Sequence, residues 1–98
     1  MDLTFQEVVK EYRRRSGRSV RGFADWLMED FVNASLSGQT ISRWENEINL
    51  MPKDIPLFFD IFTTYTDERR YFAVDALKAL MPHVFDSGMV TFHIPSRQ

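Results

Sequence analysis

Apolar residues recur at helical spacing in one segment of this chain after another, and that recurrence leaves few folds open to it. Phe5, Val8, Val9 and Tyr12 form one stripe, and Phe23, Ala24, Leu27, Met28 and Phe31 a second. Ile41, Trp44 and Ile48 form a third. Ile55, Phe58, Phe59, Phe62 and Tyr65 make the bulkiest, and Phe72, Ala73, Ala76, Leu77 and Leu80 complete a fifth. Each stripe needs an apolar face to bury against, and 98 residues suffice for one core of modest size. The expectation is a single all-α domain over residues 1–98.

Cap and turn residues stand where these helices begin and end. Thr4 and Glu7 fit a capping box, the hydroxyl accepting from the third helical N–H while the carboxylate reaches back. Gly17 suits a helix end, because glycine takes the left-handed conformation there. Ser19 can cap helix two, Ser37 helix three and Asp54 helix four, with Pro56 tolerated in the first turn. Thr66 to Glu68 supply a cap and two acids for helix five, and Pro82 ends it. Gly22, unfavourable inside helix two by about 1 kcal/mol relative to Ala, either allows a close backbone approach or is tolerated. Beyond Gly88, Val90, Phe92 and Ile94 alternate with Thr91 and His93, which is strand periodicity; a lone short strand must pair with something.

One segment has two distinct faces. In Ser37 to Glu47, reading SGQTISRWENE, Ile41 and Trp44 fall on one side and Gln39, Ser42, Arg43 and Asn46 on the other. Gln and Asn can grip adenine bidentately and Arg can do the same to guanine, so the polar side is chemically suited to reading base edges. The bland reading is an ordinary solvated face. Trp44, three residues after Ile41, is read as core.

The formal charge is −2, unlike that of a general nucleic-acid coat, yet it is unevenly spread. Lys10, Arg13, Arg14, Arg15, Arg18 and Arg21 against Glu11 give a local +5, leaving −7 for the remainder. Arg14, Arg18 and Arg21 are the candidate phosphate contacts. There is no Cys, hence no disulfide or thiolate metal site. His83 and His93, ten residues apart without clustered carboxylates, make no zinc signature. No nucleophile elbow or phosphate-cradling glycine loop occurs, so no enzyme, metal or cofactor is expected. No apolar run approaches the roughly 18 residues that span a bilayer, and a cytoplasmic protein without a membrane partner is expected.

Arg13, Gly17, Ser19, Phe23 and Ala24, followed by Thr40-Ile41-Ser42-Arg43-Trp44-Glu45-Asn46 and by Pro52, resemble the lambda-repressor and Cro type of helix-turn-helix family over residues 5–65. The resemblance implies a five-helix lambda-repressor-like helix-turn-helix domain that binds double-stranded DNA as a homodimer, most often as a repressor. Residues 1–65 would be the DNA-binding core and 66–98 the helix and strand for dimerisation. It implies base and groove contacts by Gln39, Thr40, Ser42 and Arg43 and a phosphate contact by Ser37; Asn46, on the same polar face, is read as a supporting base contact. The resemblance also implies an Arg13–Glu45 ion pair tying helix one to the end of helix three. Tyr71, Val74 and Met81 of helix five, beyond the core stripe, together with Val90, Phe92 and Ile94, are the candidate dimer surface.

Three departures stand out. Val20 replaces a Gln that touches phosphate in the family, and Glu47 places an acid beside the DNA-facing side. The interval from Ala24 to Ile41 is 17 residues, seven more than the family's. Seven residues would lengthen helix two by about 10 Å, which the stripe continuing through Met28 and Phe31 favours; a longer connecting loop is the alternative. The expected fold is therefore all-α with an elongated second helix and a short C-terminal β-strand. The expected function is a sequence-specific transcriptional regulator. The alternative is a protein-interaction module, such as an antitoxin or a regulator binding another repressor, with a protein partner in place of DNA.

Overall fold

A computed structural model describes residues 3–32, 34–47 and 55–82, which are all-helical. The elements are α1 (Phe5–Ser16), α2 (Val20–Leu27), α3 (Gly38–Asn46), α4 (Ile55–Thr64) and α5 (Glu68–Leu80). The strand expected at Val90, Phe92 and Ile94 lies outside the described residues, as do Ile48, Pro52, Asp54 and both histidines.

Local signals place the helix starts. Thr4 Oγ1 accepts from the Glu7 N–H at 3.2 Å, and the Thr4 N–H donates to Glu7 Oε1 at 3.0 Å, completing the capping box. These bonds favour the ionised Glu7 carboxyl and hold it below its ordinary value. Gly17 closes α1 at φ 70°. Its N–H donates to the Arg14 carbonyl and that of Arg18 to the Arg13 carbonyl, satisfying two end-of-helix acceptors. Ser19 caps α2 through the Gly22 N–H, and Ser37 caps α3 through the Thr40 N–H. Asp67, one residue later than Thr66, caps α5.

α1 packs on α3 and α5, α2 on α3, and α4 on α5. Aromatic rings knit these contacts. Phe58 lies edge-on to Phe5 at 5.8 Å and to Phe72 at 6.0 Å, with Trp44 tilted against it at 5.4 Å. Phe72 in turn meets Phe23 at 5.3 Å and Tyr12 at 5.5 Å. The inner face of α4 runs through Phe58 and Ile61 to Tyr65, whereas Phe59, expected in the stripe, is 36% exposed.

The elongated second helix is corrected by the structure. α2 has eight residues and gives way at Met28 to turns through Asp30, so the additional length falls in the connection to α3. Groups far along the chain take the backbone positions that a longer α2 would use. The Tyr65 hydroxyl donates to the Leu27 carbonyl at 2.9 Å and accepts from the Asp30 N–H at 3.0 Å. Arg69 Nη1 donates to the Trp26 carbonyl at 2.9 Å. Arg69 is only 8% exposed. Its guanidinium lies 3.6 Å from the Tyr65 ring centroid and 5.0 Å from that of Trp26, and both its Nε and Nη2 bond Asp67. The Arg69 bonds hold the Asp67 carboxyl below its ordinary value. Met28 and Phe31 still pack inward, from turns instead of a helix.

The close backbone approach is at Gly38, not Gly22. A Cβ on Gly38 would lie 3.0 Å from both the N and Cα of Arg21, whereas one on Gly22 would meet first the Ser19 hydroxyl at 3.3 Å. The obstacle at Gly38 is backbone, so relief requires α3 to move off α2. Gly38→Ala is expected to cost about 1–3 kcal/mol, the range for overpacking, measured by denaturant unfolding. A neutral result would show that the two helices separate freely.

Candidate nucleic-acid interface

α3 presents the two faces that its sequence demands. Ile41, Trp44 and Glu45 are buried, while Gln39, Arg43 and Asn46 are exposed and Thr40 and Ser42 half-exposed. A hydroxyl cap at one end and contacts from α1 at the other hold the helix. Gln6 Nε2 donates to the Glu47 carbonyl at 2.7 Å. Arg13 grips Glu45 with two bonds, Nε to Oε2 at 2.5 Å and Nη2 to Oε1 at 2.9 Å. Glu45 is 7% exposed, so its carboxylate depends on that partner. The bond to Glu45 raises the Arg13 pKa above its already high ordinary value. Arg13 Nη1 also donates to the Arg18 carbonyl at 3.2 Å, tying the α1–α2 turn to the same joint.

The outward residues are already partly engaged. Arg43 Nε donates to Glu47 Oε1 at 3.1 Å, one turn along the helix, and both side chains are about half exposed. Such a pair is worth only about 0.3–0.5 kcal/mol, so a better acceptor can draw the guanidinium away. Asn46 Nδ2 donates to the Ser42 carbonyl at 2.7 Å, which leaves its amide oxygen outward. Ser37 Oγ lies 3.0 Å from Thr40 Oγ1 as well as accepting from the Thr40 N–H.

The three candidate phosphate arginines do not form one row. Arg21 stands against the first turn of α3, opposite Gly38. Arg14 projects from α1, paired with Glu11 at 2.7 Å. The Arg18 guanidinium is 4.3 Å from the Trp26 ring centroid, on the flank of α2 that Arg69 of α5 also touches. Trp26 lies roughly 140° around α2 from Arg21 at 100° per residue. Arg18 and Arg21 therefore serve different sides. Of the candidate dimer residues, Tyr71 and Met81 are half-buried against the core. Val74 is 2% exposed and hence interior, which removes it from an open patch.

Sequence reasoning missed Arg69, Trp26 and Gly38. An arginine directly after the Asp67-Glu68 cap and a glycine at the first position of a helix were the available signals. Neither identifies a distant partner. No helix among the described residues is long and apolar enough to cross a membrane. A scan against protein-family models, a search of curated proteins and a search of solved structures each found no match to this chain.

Proposed function

We propose that the chain is a sequence-specific DNA-binding regulator of the lambda-repressor-like helix-turn-helix type, a repressor that places α3 in the major groove. The observation carrying this reading is the division of α3: a buried side fastened through Trp44 and Glu45, and an open side of Gln39, Arg43 and Asn46. A helix with its side chains is about 10–12 Å across, a cross-section that the major groove, about 12 Å wide, admits. Gln39 and Arg43, one turn apart, read bases; Thr40, Ser42 and Asn46 support them; Ser37, Arg14 and Arg21 meet phosphates. A homodimer formed through α5 and residues 90, 92 and 94 would recognise half-sites about 10 bp apart.

The test is selection of bound duplexes from a random pool, followed by anisotropy titrations. Arg43→Ala is expected to lose about 1–3 kcal/mol and to blur one base position. Equal loss on every sequence would remove Arg43 from base reading, and absence of any salt-sensitive DNA affinity would remove the function.

A second reading, a protein-interaction module such as an antitoxin, draws on Val32, which is 93% exposed in the α2–α3 connection. Co-purification of a stoichiometric partner without DNA affinity would establish it in place of the first.

A further inference from the structure

Between the end of α1, the flank of α2 and the start of α5 lies a recess of about 350 Å³, lined by Tyr12, Arg15, Ser16, Arg18, Trp26 and Glu68. We propose that this recess is a binding site for a small organic carboxylate with a flat apolar body, a site separate from the α3 face and independent of the DNA-binding reading.

The lining is built for that class of ligand. Each guanidinium is laid against an aromatic ring, Arg15 at 4.7 Å from the Tyr12 centroid and Arg18 at 4.3 Å from that of Trp26. A guanidinium's planar fork of donors matches a carboxylate. Arg18 makes no ion pair among the described residues, so its positive charge has no carboxylate partner there. Arg15 has one, Glu68 Oε2 at 3.1 Å, but both side chains are nearly half exposed. A pair of that kind contributes little and yields to a competing anion.

The walls between the charges are apolar. Tyr12 is buried beneath Arg15, and the partly exposed Trp26 with the methylene stems of the two arginines offers the apolar surface for a flat hydrocarbon body. The volume falls at the lower end of the range for small-molecule sites, about 300–1,000 Å³. Two cations against one acid leave the recess a net positive charge, which selects an anion over a neutral or cationic aromatic. Inorganic phosphate supplies the charge without the apolar body and is the discriminating comparison.

Titration of the intact chain with phenylacetate, followed by nitrogen–proton correlation spectra, tests the site. The two indole N–H signals serve as internal reporters, because Trp26 lines the recess while Trp44 is in the core. The expected result is a saturable shift of the Trp26 signal with Trp44 unmoved, and a dissociation constant on the order of 1 mM. Arg18→Gln should weaken binding at least tenfold, and Glu68→Gln should tighten it a few-fold by freeing Arg15. A general loss of structure cannot produce opposite changes in the two variants, and thermal melts verify that both remain folded. The proposal is overturned if phenylacetate at 10-fold that concentration leaves Trp26 unmoved, if folded Arg18→Gln binds as the parent does, or if inorganic phosphate binds as tightly as phenylacetate.

Discussion

Phe58→Ala is expected to lower stability by about 3–5 kcal/mol, the range for removing a fully buried aromatic. Phe58 has no exposed surface and touches the rings of Phe5, Trp44 and Phe72, which belong to α1, α3 and α5. Truncation removes the transfer energy of the ring and leaves a cavity bounded by three other helices. No single neighbour can collapse into it without leaving its own contacts. A domain of this size has about 5–15 kcal/mol in total, so the loss is a large share of it. Urea unfolding measures the change. Phe59→Ala, one residue along on the outer face, serves as the control and is expected to cost far less. Equal costs for the two would show that α4 does not bury the face described.

Arg69→Ala is expected to cost about 2–4 kcal/mol through a different mechanism. The side chain is nearly buried and meets the Trp26 carbonyl, the Asp67 carboxylate, the Tyr65 ring and, at 3.5 Å, Glu29 Oε1. Its removal takes the charged donor from the Trp26 carbonyl, which keeps a long 3.4 Å bond from the Glu29 N–H, and leaves a carboxylate without its cation. Asp67 is half exposed and water recovers part of that loss, so most of the effect lies at α2. Hydrogen exchange locates it: protection of the Met28 amide, which bonds the Ala24 carbonyl, and of Asp30 should fall before that of α1. Tyr65→Phe should reproduce the Asp30 effect at about 1–2 kcal/mol. A cost below about 0.5 kcal/mol for Arg69→Ala would mean that α2 ends for reasons other than this clamp.

Much of the helical framework was legible beforehand. Thr4, Gly17, Ser19 and Ser37 act within four residues of themselves, so their roles follow from local geometry. The two faces of α3 were legible for the same reason, because a 3.6-residue period sorts Ile41 and Trp44 from Gln39 and Arg43. The Arg13–Glu45 pair joins residues 32 apart and came through resemblance, not periodicity. Over a longer reach, periodicity alone misleads. Met28 and Phe31 continue the apolar spacing of α2, yet they reach the core from turns. α5 carries more apolar residues than one buried stripe needs, and Val74, which periodicity places beside that stripe, is buried by the fold. The Arg14, Arg18 and Arg21 cluster is close in sequence but divided in space, since Trp26 draws Arg18 to the opposite flank.

The amino-acid sequence by itself determined that this chain forms helices, where most of them begin, and which side of α3 faces outward. Caps and hydrophobic period act over one or two turns, and those energies are set by neighbouring residues. Only the tertiary structure decided where α2 stops, how closely α3 approaches it, and which arginines share a side. Those outcomes rest on partners distant in the chain, the 38 residues from Tyr65 to Leu27 and the 43 from Arg69 to Trp26. A hydrogen bond formed only after α4 and α5 have docked leaves no periodic trace in the segment that it terminates. The polar face of SGQTISRWENE is thus a local property, and its setting is a property of the whole domain.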